Sequence, residues 1–316
     1  MFNQGKKISV VIPTYNEEGN IKILYQRLLA VFKKINSDYE IIFADNKSTD
    51  KTRQILRELA GQDRQVAALF FSRNFGTDQY GLTAGTDYAS GDAVIWIEAD
   101  LQDPPELIED FVRKWEEGYQ VVYGVRTKRR GSLFLQIAYK LFYRMFRKLS
   151  YLDIPLDAGD FSLMDRKVVD VIKSMPERDR FVRGLRTWAG FKSIGVSYTR
   201  DERHAGVTSN SLVKNIWWAK KAFFSFSYKP LEWISYVAGF VTICSILTIL
   251  VYIPYTYFVP GPPGFLTTFL VMLFLGSIQL LSLSVIAEYL TKIFEEVKGR
   301  PKYVIEEIVG QKKDEN

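Results

Sequence analysis

The sequence predicts an α/β fold with a mostly parallel sheet, followed by a two-helix membrane hairpin. Three observations predict it. Along residues 1–125, short apolar β-rich runs alternate with helix-period segments, the pattern of parallel strands joined by crossover helices. Residues 231–287, 57 in a row, carry one charge, Glu232, although 25% of the chain is charged. That stretch breaks once, at Pro260–Gly261–Pro262–Pro263, into spans of 27 and 24 residues without Lys, Arg, Asp or Glu. About 20 helical residues cross a bilayer core.

The elements follow in order. Residues 8–13, 40–44, 66–71, 93–97 and 121–125 read as five buried strands. Residues 20–34, 51–60, 77–89 and 105–117 read as the helices between them. Such sheets bind ligands at the carboxyl ends of their strands, so functional residues should follow each strand. The apolar spans, 233–259 and 264–287, have a link too short for a domain, so both outer ends face one side. Lys220, Lys221 and Lys229 before the pair and Lys292, Lys298 and Arg300 after it put that side in the cytoplasm. Residues 126–148 hold eight basic side chains and no acidic one, with apolar residues at helical spacing over about 131–149. Residues 211–229 mix Trp and Phe with Lys. Both read as helices lying in the headgroup layer, with an ordinary docked amphipathic helix as the alternative.

Composition excludes several classes. One cysteine, Cys244, allows no internal disulfide, which fits a reducing compartment. One histidine, His204, is too few for a zinc site. The apolar run at residues 8–13 is too short for a secretory signal. A net charge of +6 calls for an anionic partner. The basic stripes adjoin apolar helices, so membrane explains them better than nucleic acid does. Small residues around Gly276 favour packing of the hairpin into a homo-oligomer.

Three loops carry chemistry. Glu98-Ala99-Asp100 ends the fourth strand, and i, i+2 side chains on extended chain point the same way. Two such carboxylates can share a divalent cation whose shell is completed by phosphates; alone, the triplet also suits two solvated loop acids. Asp45 ends the second strand, where an acid can hold a ribose or base edge, while Asp50 suits a helix cap. Tyr15, after Pro13 stops the first strand, can stack on a base. Asn74-Phe75-Gly76 opens a helix whose free N–H groups favour anions.

These residues resemble family 2 glycosyltransferases. The resemblance runs through Val11-Ile12-Pro13-Thr14-Tyr15-Asn16-Glu17-Glu18, Asp45-x-x-Ser48-Thr49-Asp50, Ser72-Arg73-Asn74-Phe75-Gly76 and Ala99-Asp100-Leu101-Gln102-Asp103-Pro104-Pro105-Glu106. Gly159-Asp160-Phe161-Ser162-Leu163 and the run from Glu288-Tyr289-Leu290 to Arg300-Pro301 also fit. The chain is most similar to the polyprenyl-phosphate branch, which includes dolichyl-phosphate mannose synthase and the bactoprenol glucosyltransferases of O-antigen modification. The resemblance implies a GT-A domain over residues 1–210, a juxtamembrane helix at 211–229, two transmembrane helices within 230–290 and a cytoplasmic tail at 291–316. It implies a nucleotide-sugar donor, UDP-glucose before GDP-mannose or another UDP-sugar, and a polyprenyl phosphate acceptor such as undecaprenyl phosphate. The expected location is the bacterial inner membrane, with the catalytic domain in the cytoplasm.

The same resemblance assigns roles. Glu98, Asp100 and Gln102 would hold Mg²⁺ or Mn²⁺, with Glu standing where Asp is commoner. Pro13, Tyr15, Glu17, Asp45 and Asn74 would join Glu98 and Asp100 in the donor site. Asn46 replaces a second acid, leaving Asp45 alone with the nucleoside. Arg126, Arg129, Arg130, Arg200 and Arg203 would contact phosphate. Asp157 or Asp160 would act near the acceptor, unless Asp157-Ala158-Gly159-Asp160 is only a structural turn. A regulatory nucleotide-binding protein is the rival reading. A processive synthase would need more spanning helices and a Gln-x-x-Arg-Trp stretch that the sequence lacks.

Overall fold

The computed structural model describes residues 5–127, 158–178, 180–200, 227, 229–258 and 264–310. Its strands are β1 (Lys7–Thr14), β2 (Asp38–Asp45), β3 (Val66–Phe71), β4 (Ala93–Trp96), β5 (Val121–Arg126), β6 (Ala158–Asp165), β7 (Ser193–Tyr198) and β8 (Ile305–Gly310). Its α-helices are α1 (Ile21–Ile35), α2 (Thr52–Gln62), α3 (Asp78–Tyr88), α4 (Ile108–Glu116), α5 (Arg166–Ser174), α6 (Val182–Trp188), α7 (Lys229–Phe258) and α8 (Phe265–Lys298). The stretch read as one helix at 105–117 divides into a 3₁₀ turn, Pro105–Leu107, and α4.

The strands form one sheet in the order β7-β5-β6-β4-β1-β2-β3-β8. The centre, β4-β1-β2-β3, is parallel throughout. Strand β6 runs antiparallel to β4 and β5, and β7 returns parallel to β5. The chain winds outward from β1 to β3, then crosses back to β4 on the other side. Open α/β sheets bind ligands at such a reversal.

Both faces of the central strands are covered, which is why these strands read as unbroken apolar runs. Ile8, Val10 and Ile12 of β1 pack with Leu24, Leu28 and Phe111 of α1 and α4. Val11 points the other way, with Leu82 of α3 and Val168 and Val169 of α5. Helix α3 lies unusually close to β1. A Cβ at Gly81 would stand 2.8 Å from Pro13 Cβ, and one at Gly85 would stand 2.2 Å from Val11 Cγ1. The close packing brings Trp96 Nε1 within 2.8 Å of Thr86 Oγ1, to which it donates.

Helices α7 and α8 are long and apolar enough to cross a membrane, over Lys229–Thr248 and Val271–Lys298. Phe240, Val251, Met272 and Leu280 stand exposed on them. At 34 residues, α8 rises about 51 Å, well beyond a hydrocarbon core of roughly 30 Å. Its charged end from Glu288 to Lys298 therefore reaches past the apolar span. There Arg178 N donates to Glu296 Oε1 and Arg178 Nη1 to the Arg300 carbonyl, both at 2.7 Å.

The sequence reads residues 291–316 as a tail. The structure differs: 291–298 continue α8, Gly299 ends it in the left-handed region, and 305–310 return as β8, antiparallel to β3. Tyr303 fixes the return, stacking on Phe71 at 5.6 Å and donating to Asp87 Oδ2 at 2.9 Å. The expected interfacial helix at 131–149, nearly all of the one at 211–229 and the terminal stretch 311–316 lie outside the described residues.

Candidate active site

The loops after β1 and β2 interlock. Asn16 and Lys47 adopt left-handed backbone, with φ of 56° and 63°. Asn16 Oδ1 accepts from Thr49 N at 2.8 Å, and Asn16 N donates to Ser48 Oγ at 2.9 Å. Glu17 N donates to Thr52 Oγ1 at 2.8 Å. Asp45 is fully buried beneath these loops and accepts from Ser48 N and Ser48 Oγ. Arg53 Nε lies 3.4 Å from its Oδ2. Burial pushes the Asp45 carboxyl up; Ser48 and Arg53 only partly offset it.

Asn46, the position without a second acid, has a different task. Its Oδ1 accepts from Phe75 N at 2.8 Å and its Nδ2 donates to Asn74 Oδ1 at 3.2 Å. Asn74 Oδ1 also accepts from Gly76 N at 2.6 Å. An amide both donates and accepts; a carboxylate cannot. The β2 and β3 loops are thus tied at the place where sequence sees only a lost charge. Pro13 lies under α3, and Tyr15 stands 42% exposed at the rim. Glu17 is buried, its Oε2 accepting from Asn20 Nδ2 at 2.5 Å at the start of α1.

The acids after β4 approach one guanidinium nitrogen, with Ala99 and Asp100 in a turn rather than on extended chain. Arg200 Nη2 lies 3.0 Å from Glu98 Oε2 and 3.8 Å from Asp100 Oδ2. Between Asp100 and Gln102, Leu101 is held at φ 61° with its side chain buried. Left-handed backbone is costly for leucine and collects at functional sites. The turn lets Gln102 N donate to Asp100 Oδ1 at 3.1 Å. Burial, then Asp103 and Asp100, push the Glu98 carboxyl up to about 8.

This donor set suits a hard divalent cation. Two carboxylates meet at a point that one guanidinium nitrogen now approaches. Among the described residues, no three acidic, His or Cys side chains group to hold a metal by themselves. Gln102, water and donor phosphates would complete the shell, as Mg²⁺ sites usually require.

Beside the acids lie Arg126 of β5, Tyr198 of β7, and Arg183 and Arg186 of α6. Arg126 Nε donates to Tyr198 Oη at 3.2 Å, and its Nη2 lies 3.7 Å from Asp103 Oδ2. Burial works against the Arg126 charge, but Asp103 and Tyr198 more than restore it. Asp160 is paired with Arg183 Nε at 3.3 Å. Burial would raise the Asp160 carboxyl, yet Arg183, Arg186 and Arg126 hold it below the usual carboxylate range. Arg186 is buried under it and donates to the Gly159 carbonyl at 3.2 Å. Burial lowers the Arg186 guanidinium to about 10, with Asp160 opposing.

The structure therefore brings Glu98, Asp100, Asp103, Arg126 and Arg200 together, with Asp160 joined through its arginines. Asp45, Asn74, Pro13, Tyr15 and Glu17 line the neighbouring strand ends. Asp157, Arg129, Arg130 and Arg203 lie outside the described residues. Asp103, Tyr198, Arg183 and Arg186 are site residues that the sequence did not single out. The i, i+3 spacing of Arg183 and Arg186 was a usable signal, since it puts both on one helix face.

Residues 9–173 match the family described as Glycosyl transferase family 2. The chain belongs to glycosyl transferase family 2. As a member of this family it is a glycosyltransferase, and the sheet above is its GT-A fold. It is 43% identical over 305 residues to the uncharacterized glycosyltransferase YkcC of Bacillus subtilis, covering 96% of this chain and 94% of that one. It is 39% identical to the SfII prophage-derived bactoprenol glucosyl transferase of Shigella flexneri, covering 95% and 97%. It is 40% identical to the prophage bactoprenol glucosyl transferase homolog of Escherichia coli K12, covering 96% and 99%. Among solved structures, glucosyl-3-phosphoglycerate synthase of Mycobacterium tuberculosis with Mn²⁺, UDP and glucosyl-3-phosphoglycerate aligns at TM-score 0.45 and 19% identity, over 70% of this chain and 78% of that one. That likeness is too distant to bear on substrate.

Proposed function

We propose that this glycosyltransferase moves glucose from UDP-glucose to a polyprenyl phosphate at the cytoplasmic face of a bacterial inner membrane. The observation that carries the reading is the near full-length similarity to bactoprenol glucosyl transferases, which takes in both apolar helices. The site chemistry supports it. An acid pair suited to a cation adjoins two guanidiniums, the groups that recognise phosphate best.

In the reaction, an acceptor phosphate oxygen attacks the sugar's anomeric carbon. The bond from that carbon to the donor diphosphate breaks, and the nucleoside diphosphate leaves with the electron pair. One displacement inverts the anomeric centre. A divalent cation, Mg²⁺ or Mn²⁺, held by Glu98 and Asp100 with Gln102 would neutralise the leaving diphosphate. Asp45 orients the nucleoside, with Tyr15 on the base and Asn74 at the opening of α3. Arg126 and Arg200 bind and aim the acceptor phosphate. A phosphate monoester is already ionised near neutral pH, so no strong base is needed. Asp160, kept ionised by its arginines, orients them and the acceptor.

The donor choice is tested by calorimetry on the full chain in detergent with Mn²⁺. UDP-glucose should bind at least about tenfold more tightly than GDP-mannose, a difference of roughly 1.4 kcal/mol. Preference for GDP-mannose would overturn the donor assignment and leave the acceptor assignment standing.

A further inference from the structure

Asp103 follows the acid pair, shares Arg200 with it and reaches a second guanidinium, Arg126. It is 1% exposed. Its Oδ1 accepts the Tyr198 hydroxyl hydrogen. Arg200 Nε lies 3.4 Å from Oδ1, and Arg126 Nη2 lies 3.7 Å from Oδ2. Arg126 Nε in turn donates to Tyr198 Oη. Carboxylate, phenol and guanidinium thus close a triangle, and the second guanidinium leans on the same carboxylate.

The surrounding backbone is cut to fit this group. A Cβ at Gly124 would stand 2.7 Å from Tyr198 Cε1, and one at Gly159 would stand 3.1 Å from Arg126 Nη2. Tyr198 is also braced edge-on by Phe161 at 6.1 Å. Among the described residues, neither Asp103 Oδ2 nor Arg200 Nε has a hydrogen-bond partner, although both atoms are buried. Asp103 therefore holds the two guanidiniums partly by charge, without using up their planar donor edges.

We propose that Asp103 is a positioning residue that holds Arg126 and Arg200 side by side as the seat for the acceptor's phosphate. The proposal rests on the reading of the acceptor as an isoprenyl monophosphate. Arg200 otherwise has Glu98 and Asp100 to pair with. Without the Asp103 charge it should collapse wholly onto that pair, away from Arg126. An opposing effect exists: removing a carboxylate makes the seat more positive and favours an anion. Guanidinium recognition of phosphate depends on aligned geometry, so loss of position should win.

The test uses the full chain in detergent and farnesyl phosphate as the probe, titrated by calorimetry. Asp103→Asn should bind it about tenfold or more weakly, as for a broken buried charge pair. UDP-glucose affinity should fall by clearly less than probe affinity. Asp103→Glu should restore part of the loss. In transfer assays Asp103→Asn should raise KM for the lipid phosphate much more than it lowers kcat. If Asp103→Asn fails to fold, Tyr198→Phe carries the test; it keeps the ring and should weaken the probe a few-fold. Unchanged or tighter farnesyl phosphate binding would overturn the proposal, and so would equal loss of donor and probe. A parent protein that binds the probe but transfers no sugar would refute the proposed reaction, while the binding comparison still judged Asp103.

Discussion

Glu98 and Asp100 present their oxygens to one point because the strand ends there and Leu101 turns the chain back. Asp100→Asn keeps the shape and removes the charge. Transfer should fall at least about 100-fold, comparable to loss of one electrostatic stabiliser in a closed site, with an unchanged melting temperature. Glu98→Gln should lose less. Undiminished turnover in excess EDTA would refute the metal role. A second prediction concerns Glu40, buried at the opposite end of the sheet. Ser9 Oγ donates to it at 2.5 Å, Ser90 N at 2.7 Å, and Lys7 Nζ lies 2.7 Å away. Burial would raise its carboxyl, but these partners hold it below its ordinary 4.5. A lowered folded value means the contribution is complete above 4.5 and is lost as pH falls through the folded value. Glu40→Gln should cost about 1–3 kcal/mol at pH 7, with a flatter acid limb in denaturant titrations. At this scale the acids that follow strands were legible, since a carboxylate after an apolar run stands out in the sequence, but the turn at Ala99 and Asp100 was not. The sequence did not show Asp103 or Tyr198, because their partnership joins residues 95 positions apart: β5–β7 pairing sets Tyr198 opposite Arg126, and the segment after β4 brings Asp103 to both.

Among the elements, α3 and β8 teach most. Helix α3 was legible as a helix, but its closeness to β1 was not, since glycine in a helix reads as a weakness. The structure gives Gly85 a reason: Val11 occupies the space a Cβ would need. Gly85→Ala should therefore destabilise by about 1–3 kcal/mol through overpacking, against the usual helix preference for alanine. A raised melting temperature would contradict the packing. The central strands were legible because burial on both faces makes their sequences continuously apolar. Strand β8 was not. Its residues alternate half-buried and exposed, and Glu306 and Glu307 face Lys47, Arg53 and Arg57 rather than the core. A charged edge strand after a long apolar helix looks like a tail until its partner strand is known.

At the scale of the molecule, the chain leaves the sheet, makes two apolar helices and comes back. Six residues, 299–304, separate α8 from β8, which pairs with the β3 edge, so a short link ties the apolar helix to the catalytic sheet. Glu306 lies 2.5 Å from Lys47 Nζ and 3.7 Å from Arg53 Nη2, and Arg53 reaches Asp45. Ending the chain after Lys298 should bare that edge and loosen the loop that carries Asp45. The truncated protein should aggregate more readily, and a few-fold loss of UDP-glucose affinity should appear in calorimetry. Unchanged affinity would show that β8 only closes the sheet.

Sugar transfer to a lipid phosphate can be followed in a single assay. Purified full-length protein in lipid vesicles containing undecaprenyl phosphate is given UDP-glucose with a radiolabelled sugar and Mg²⁺. Label should pass into the organic-soluble fraction only when the lipid phosphate and the metal are both present, and Asp100→Asn should abolish that passage. Label that stays in water across UDP- and GDP-sugars, with folded protein and both metals supplied, would contradict the account.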